Sequence, residues 1–304
     1  MTKSIESQLE RLQERHNLYL QNLLSDQLCP SQLLHEAIEY ALFPGGKRIR
    51  PILVYLIGDI LNVSPDCLDI IAAAIELTHS YSLIHDDLPA MDNDDFRRGK
   101  LSCHKAFHEG VAILAGDALQ IYAVQLLIQK LPQYLSPQKV LAIVNILCES
   151  SGIEGMISGQ CFDLYPQSLH GSSEKVPPIE NLRQIHELKT GKLIMACIEM
   201  TIAAQQEAPQ QQATSALRTF GNQLGFTYQI QDDYLDRYAP RQILGKNRSS
   251  DLSNQKITFA SYYSREELYS LITEHYQSTI ESLEYFGEKA APLRKFTERL
   301  INRV

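Results

Sequence analysis

The sequence contains almost no alternation of apolar and polar residues of the kind that indicates β-strands. Helical periodicity is found along most of the chain instead. Helix starts are marked by serine–proline pairs at 64–65 and 136–137, each an N-cap before a proline at the first helical position. Ser264 and Glu267 form a further start signal, a capping box. These features predict an all-α protein.

The connections between the predicted helices are mostly short, and neither a linker nor a repeat period is present. The two longer connections cover 165–178 and 240–250. Core helices are apolar on several faces, as in the interior of a large bundle. We therefore expect a single domain covering residues 1–304. The predicted helices cover residues 4–27, 31–42, 48–61, 66–88, 111–130, 137–158, 179–206, 212–238, 252–261, 265–285 and 290–302.

The sequence also lacks an excess of positive charge, since its net charge is −8. That value argues against binding to nucleic acid or to an anionic membrane surface. No run approaches the ~18 consecutive apolar residues that a membrane span needs. The amphipathic stretch from 4 to 27 has no signal-peptide core. We expect no membrane span and a cytoplasmic location.

Paired cysteine spacing is absent as well. The six cysteines are scattered without a CxxC motif, and four of them have at least two apolar neighbours. This distribution argues against a zinc site and against a disulfide framework. It predicts buried thiols in a protein of a reducing compartment.

The negative charge has a local source. Eight aspartates in two short clusters account for the whole excess of acids, because the other 28 acidic residues equal the 28 Lys and Arg residues in number. A solvated surface would distribute this charge along the chain. The eight residues are Asp86, Asp87, Asp92, Asp94, Asp95, Asp232, Asp233 and Asp236.

The second cluster lies within a predicted apolar helix. Asp232 and Asp236 are four residues apart and share one helix face, with Asp233 beside them. Like charges on a mostly buried helix repel one another and lose hydration, which destabilises the fold unless cations are present. This cluster therefore predicts a cation site.

The first cluster can form a cation site only if the chain bends between its aspartates. Asp86 and Asp92 are six residues apart, which places them ~120° from each other on an ideal helix. Pro89 between them cannot donate a hydrogen bond to the carbonyl of His85, so we expect a turn that brings Asp92 back into line. Carboxylate oxygens select hard cations such as Mg²⁺, which bridges to substrate phosphates. A solvated acidic helix end is the alternative, and two such clusters on apolar helices make it the weaker one.

Basic residues that could hold a diphosphate stand near both clusters. The segment 45–51 opens a helix, where backbone N–H groups and the helix dipole favour anions. An arginine pair follows the first cluster, and arginine is well shaped for bidentate phosphate binding. Each of these charges alone is more often a solvated surface residue. The other candidates are Arg97, Arg98, Lys189, Lys192, Lys246 and Lys256.

Seven segments, in order over about two-thirds of the chain, resemble the trans-polyprenyl diphosphate synthases, and most closely the bacterial farnesyl diphosphate synthases. The seven-residue form of the first motif, DDLPAMD, is similar to the bacterial farnesyl type in particular. The resemblance implies an isoprenoid-synthase fold, a single-domain helical bundle around a deep central cavity, and a homodimer. The segments are PGGKRIRP (44–51), ELTHSYSLIHDDLPAMDNDDFRRGK (76–100), AGDAL (115–119), GQCFDL (159–164), HELKTGKLI (186–194), FGNQLGFTYQIQDDYLD (220–236) and LGKNRSSD (244–251).

The implied activity joins isopentenyl diphosphate to an allylic diphosphate, dimethylallyl or geranyl, to give mainly farnesyl diphosphate. Metal-assisted ionisation leaves an allylic cation, the alkene of isopentenyl diphosphate attacks it, and a proton is lost to the departing diphosphate. Geranylgeranyl and geranyl diphosphate synthases of the same family are the alternatives. A class I terpene cyclase is disfavoured because this chain has a second DDxxD, at 232–236, and a non-catalytic subunit because both motifs are intact.

The resemblance also implies roles for the acidic residues. Asp86 and Asp92 bind two Mg²⁺ ions and Asp232 a third, while Asp87 and Asp236 support these ligands. Three Mg²⁺ ions per site are therefore expected. With Asp233, these residues make up the acidic part of the implied catalytic set.

The implied substrate contacts fall into three groups. The allylic diphosphate is held by Arg97, Lys189, Lys246 and Lys256. The diphosphate of isopentenyl diphosphate is held without metal by Lys47, Arg50, His79 and Arg98. The reacting region is lined by Thr190 and Gln229.

Three further expectations concern the shape of the site. Tyr81 and Ser82 lie one helical turn below Asp86, so we expect Tyr81 to close the pocket and to limit the product to C15. A core role for Tyr81 and a packed helix position for His79 are the competing interpretations. Gly191 suggests a helix kink. Departures from the family pattern occur at Ser158, Tyr228, Ser250 and Gln255.

Overall fold

A computed structural model describes residues 2–27, 29–165, 178–208, 210–238 and 257–302. It confirms the all-α prediction. The only strands in these ranges are β1 (Phe96–Arg97) and β2 (Lys100–Leu101), an antiparallel pair with Phe96 opposite Leu101. The helices are α1 (Thr2–Asp26), α2 (Gln32–Leu42), α3 (Ile49–Ile60), α4 (Pro65–Asp86), α5 (Cys103–Phe107), α6 (Glu109–Lys130), α7 (Pro137–Ser151), α8 (Met156–Leu164), α9 (Ile179–His186), α10 (Lys192–Ala203), α11 (Gln211–Tyr238), α12 (Arg265–Glu281) and α13 (Ala291–Ile301).

Helix α4 is the central element of the bundle. It begins at Pro65 and is buried along most of its length against α1, α3, α6 and α10. A helix enclosed by other helices is apolar on all faces, because burial of each face removes apolar surface from water. The helix ends at Asp86, so burial of this one helix carries Asp86 and Asp87, the start of the first acidic cluster, into the protein.

Helix α11 carries the second acidic cluster and packs against α10 and α12. The buried amide of Gln231 fixes the end of α13 to it: Gln231 Nε2 donates to the carbonyl of Leu300 at 2.7 Å, and Tyr276 Oη donates to Gln231 Oε1 at 2.8 Å. Buried polar groups are costly unless hydrogen-bonded, so this paired network defines one arrangement of the three helices.

Two predicted helices are interrupted. The helix predicted at 137–158 breaks between α7 and α8, where a Cβ on Gly155 would lie 2.0 Å from the carbonyl oxygen of Ser150. The helix predicted at 179–206 contains a π-helical segment, Glu187–Gly191, at the position of the expected kink. Most of the helix predicted at 252–261 lies outside the described residues, and Phe259–Ser261 is a 3₁₀ turn.

The helix starts behave largely as predicted. Ser264 and Glu267 form the expected capping box, and Ser136 accepts from the backbone N–H of Lys139. Ser64 occupies the N-cap position of α4 but makes no side-chain capping bond, so Pro65 alone marks that start.

The expectation that the chain has no membrane span stays a prediction. Three helical stretches, 65–86, 109–133 and 137–164, are long and apolar enough to cross a membrane, although polar residues interrupt every apolar run within them. The most apolar window of the first is 83% buried inside the protein, whereas those of the other two are 39% and 33% buried. The first stretch is therefore core, and the other two present apolar surface outward.

The cysteine prediction is correct in part. All six thiols are free, and Cys67, Cys103 and Cys197 are buried as expected. Cys148 and Cys161 are exposed, because each lies on the outward face of a helix whose other face packs inward.

Candidate functional site

A cavity of about 660 Å³ lies between α4, α6, α8, the π-helical segment and α11. We call it the central cavity. Both acidic clusters reach it, through Asp86 at the end of α4 and Asp232 in α11. The predicted site residues that line it are Arg50, His79, Tyr81, Ser82, Asp86, Lys189, Thr190, Gln229 and Asp232.

A tight turn follows α4 and confirms the expected bend. The N–H of Leu88 donates to the carbonyl of His85 at 3.1 Å, and the N–H of Asn93 returns to the carbonyl of Leu88. The N–H of Asp92 then donates to the carbonyl of Asp86 at 2.9 Å. The chain folds back on itself over six residues, so Asp92 lies next to Asp86 despite the ~120° that an ideal helix would place between them.

The carboxylate of Asp86 is destabilised in the absence of a cation. Burial raises its pKa to about 6, and the negative charge of Asp92 adds to the effect while Lys189 opposes it. Its place at the carboxyl end of α4 disfavours negative charge further and favours cations. These features fit a divalent metal, which would be held by the predicted ligands Asp86, Asp92 and Asp232.

The described residues do not form a metal cage of their own. Within them, no group of three or more His, Cys, Asp or Glu side chains is close enough to hold a metal ion. Mg²⁺ typically keeps several waters and takes one or two carboxylates together with substrate phosphates. The separated carboxylates therefore suit ions that bind together with a diphosphate.

Asp87 has a different position from its neighbour. It is buried, and both of its oxygens accept from Arg97 Nε, at 3.0 and 3.1 Å, while Arg97 Nη2 also donates to it. Burial opposes the charge of Arg97, but the ion pair outweighs burial and raises the pKa of Arg97. Asp87 thus fixes the guanidinium that was predicted to contact the allylic diphosphate.

The segment that opens α3 is built around a buried ion pair. Arg48 donates to Glu76 at 2.5 Å, to Asn17 at 2.9 Å and to the carbonyl of Leu42 at 2.7 Å. Gly45 has a φ of +81°, and a Cβ there would lie 2.2 Å from the Arg48 guanidinium, so only glycine fits. Arg48 is therefore a structural residue, although its neighbours in sequence are site residues.

Arg50, His79 and Arg98 lie close together, and Arg50 and His79 line the central cavity; we call these three residues the arginine cluster. Burial and the charges of Arg50 and Arg98 hold the pKa of His79 well below its usual range, so its ring is neutral. Burial lowers the pKa of Arg98; the charge of Glu76 opposes this shift, and nearby guanidiniums add to it. Buried like charges repel, and an anion bound between them would relieve that cost. Lys47, which precedes α3, is exposed.

Lys189 points from the π-helical segment into the central cavity and is paired with Asp163 of α8 at 2.6 Å. The two elements approach closely because residue 159 is glycine: a Cβ there would lie 2.3 Å from the backbone nitrogen of Lys189. Next to it, Thr190 Oγ1 donates to Gln229 Oε1 at 2.8 Å. The predicted pair Thr190 and Gln229 is thus brought together.

Tyr81, one helical turn before Asp86 on α4, lines the central cavity and is 4% exposed. Burial raises its pKa to about 12, and Gln120 of α6 lies beside its hydroxyl. The ring of His85 packs edge-on against it at 5.9 Å. Ser82 donates to the carbonyl of His79 at 2.8 Å, so it is tied to its own helix.

Sequence reasoning assigned no role to several polar residues at this site, among them Gln120, Gln160 and Asp163. Gln160 lines the cavity and is 9% exposed, and neither of its amide atoms has a hydrogen-bond partner in the described part of the chain. Gln160 and Asp163 lie within GQCFDL, one of the segments that resemble the family, but the resemblance implied no role for either residue. Asp236 lies one turn beyond Asp232 and is half-buried. Lys246, Lys256, Ser250 and Gln255 lie outside the described residues.

Comparison with known proteins gives the family. A profile of the polyprenyl synthetase family matches residues 31–287. The farnesyl diphosphate synthase of Haemophilus influenzae is 38% identical over 277 residues, which cover 91% of each chain. The chain belongs to the polyprenyl synthetase family. Its predicted family and its class, the trans-prenyltransferases, are confirmed.

Two solved structures show the same polyprenyl synthetase architecture. A geranyltransferase from Legionella pneumophila superposes with a TM-score of 0.89 and 49% identity, covering 99% of this chain and 98% of the other. A geranyltransferase from Helicobacter pylori in complex with magnesium and isoprenyl diphosphate superposes with a TM-score of 0.80 and 29% identity, covering 97% and 96%. The predicted isoprenoid-synthase fold is therefore confirmed.

Proposed function

We propose that the protein is a farnesyl diphosphate synthase, which condenses isopentenyl diphosphate with dimethylallyl and then geranyl diphosphate. The observation that carries this proposal is one cavity with two different anion-binding ends. Asp86 and Asp232 reach it as metal-type carboxylates, whereas Arg50 and His79 reach it from the arginine cluster, in which two guanidiniums lie near a neutral histidine. A reaction that joins two diphosphates needs two such sites.

The acidic end takes the allylic diphosphate. Asp86, Asp92 and Asp232 would hold three Mg²⁺ ions there, and these ions would stabilise the charge that develops on the leaving diphosphate. The magnesium and isoprenyl diphosphate in the Helicobacter pylori relative support this assignment. The chain's own cations complete the site: Arg97, oriented by Asp87, and Lys189, oriented by Asp163. Lys246 and Lys256 remain predicted contacts.

The arginine cluster takes the diphosphate of isopentenyl diphosphate, with Lys47 as a further contact. Its guanidiniums are held beside a neutral His79, which can donate to a phosphate oxygen without being charged. Arg50 Nε is buried without a partner in the described residues, as a donor reserved for a ligand would be. Between the two ends, Thr190 and Gln229 line the reacting region.

The cavity walls determine the product length. We propose that Tyr81, which is buried and lines the cavity, closes its lower end and so limits the product to C15 farnesyl diphosphate rather than its C20 homologue. Apolar walls also keep water from the allylic cation.

The protein functions as a homodimer in the cytoplasm. Leu114, Ile121 and Ile128 are spaced seven residues apart on α6 and are 58%, 67% and 54% exposed, so they form one apolar stripe. Leu141 on α7 is 71% exposed. Apolar patches of this kind mark interfaces in soluble proteins, and a second copy would cover them.

Separate Michaelis constants for the two substrates test the assignment of the two ends. Arg50→Gln is expected to raise KM for isopentenyl diphosphate about tenfold or more with a small effect on KM for geranyl diphosphate. Lys189→Gln is expected to do the reverse. Equal effects of both variants on both constants would refute the two-site assignment.

A further inference from the structure

Asp233 differs from the other aspartates of the second cluster because backbone and side-chain donors surround it. It is buried, and its Oδ2 accepts from the backbone N–H of Phe259 at 2.9 Å. His186 Nε2 lies 3.4 Å from the same oxygen, within ion-pair distance but without hydrogen-bond geometry. Gln229 Nε2 donates to Oδ1 at 3.4 Å. Its oxygens are therefore engaged by protein groups, as in a carboxylate that organises its surroundings.

Aromatic packing fixes the same contacts. The His186 ring stacks on Phe259 with 5.5 Å between ring centroids and 24° between planes. Phe226 packs edge-on against Phe259 at 5.6 Å. Phe259 is fully buried, so the N–H that Asp233 accepts from cannot turn to water. Packing and hydrogen bonding thus specify one position for this segment.

Two sets of contacts connect Asp233 to the π-helical segment Glu187–Gly191. Through Gln229, the contacts continue to Thr190, whose hydroxyl donates to Gln229 at 2.8 Å. Through His186, they reach the residue directly before the segment. Lys189 and Thr190 line the central cavity, so one buried carboxylate is connected to the substrate-contacting part of a helix that departs from α geometry.

We propose that Asp233 and His186 are positioning residues for the π-helical segment, and that Asp233 does not bind metal. This inference rests on the proposed function and deepens it. It divides the adjacent aspartates Asp232 and Asp233 between two roles, with metal binding assigned to Asp232 and the placement of Lys189 and Thr190 assigned to Asp233. The family resemblance implied metal binding for Asp232 and no separate role for Asp233, and this inference supplies that role.

Magnesium titration of the full-length enzyme distinguishes the two roles. Asp233→Asn keeps the side-chain size and one acceptor oxygen, and it is expected to lower kcat about tenfold while the Mg²⁺ concentration for half-maximal rate stays within about twofold of wild type. Asp232→Asn is expected to raise that concentration at least about fivefold. Asp59→Asn, at an exposed position in α3, is the matched control and is expected to change neither value.

His186→Gln provides the second arm, with the same expected loss of kcat and an unchanged Mg²⁺ requirement. A rise in the Mg²⁺ requirement of Asp233→Asn equal to that of Asp232→Asn, or an unchanged kcat in both Asp233→Asn and His186→Gln, would overturn the proposal.

Amide hydrogen exchange tests the contact independently of activity. The Phe259 amide is expected to exchange at least about tenfold faster in Asp233→Ala than in the wild type, because its acceptor is removed. Unchanged exchange would overturn the proposal even in an active enzyme. An inactive wild type with the expected exchange would instead refute the proposed function and leave the contact in place.

Discussion

The ammonium of Lys189 lies 2.6 Å from the carboxylate of Asp163, across the gap between the π-helical segment and α8. Both side chains are about one-fifth exposed. The lysine assigned to the allylic diphosphate is thus held in one direction before substrate arrives. A charge oriented in advance costs no reorganisation when the diphosphate leaves.

Replacing Asp163 therefore affects the rate. Asp163→Asn is expected to lower kcat about tenfold, because Lys189 loses the charged partner that orients it. Steady-state kinetics with geranyl diphosphate as the varied substrate measure the effect. Asp59→Asn is the control for the loss of a negative charge elsewhere on the protein. A kcat of Asp163→Asn equal to or above that of the wild type would show that Asp163 only competes with the substrate for Lys189.

The buried pair Arg48 and Glu76 affects stability instead. Glu76→Ala leaves an uncompensated guanidinium in the interior and is expected to reduce the free energy of unfolding by about 3–5 kcal/mol. Equilibrium denaturation measures this value. The double variant Arg48→Met with Glu76→Leu removes both charges and is expected to recover most of the loss. A loss below about 1 kcal/mol for Glu76→Ala would mean that water reaches the site.

Product length tests the lower end of the cavity. Tyr81→Ala removes the buried ring and is expected to shift the product from C15 to C20 and longer, because the growing chain can extend past residue 81. Tyr81→Phe keeps the ring and is expected to leave the product at C15. Chromatography of the dephosphorylated products gives the distribution, and an unchanged C15 product from Tyr81→Ala would assign Tyr81 to the core alone.

His16 makes stability dependent on pH. It is fully buried, and burial lowers its pKa to about 3. Because the unfolded state binds a proton near pH 6.5 and the folded state does not, stability is complete above about pH 6.5 and is lost as the pH falls toward about 3. At pH 5 the expected loss from this residue is about 2 kcal/mol. His16→Phe should show a correspondingly smaller decrease in unfolding free energy between pH 7 and pH 5, and parallel curves would contradict the assignment.

Local sequence signals predicted much of this structure. Apolar periodicity predicted most of the helices, and Pro89 predicted the turn that returns Asp92 to Asp86, since both depend on residues close in the chain. The helix predicted at 137–158 was wrong at its end, because the break at Gly155 depends on a backbone contact that hydropathy does not report.

Long-range pairing accounts for the rest. Arg48 and Arg50 stand two residues apart in one basic motif, yet one is buried against Glu76 and the other lines the cavity. Asp232 and Asp233 are likewise adjacent, yet Asp232 lines the cavity and Asp233 accepts from the backbone of Phe259. Asp163 pairs with a lysine 26 residues away. No single-sequence pattern reports such partners, because tertiary packing selects them.

Product analysis of the purified protein incubated with Mg²⁺, geranyl diphosphate and isopentenyl diphosphate tests the central claim, that one cavity joins the two diphosphates. The account predicts farnesyl diphosphate as the main product, and no turnover of geranyl diphosphate when isopentenyl diphosphate or Mg²⁺ is omitted. A cyclised hydrocarbon formed without isopentenyl diphosphate, or no condensation with any allylic diphosphate, would contradict it.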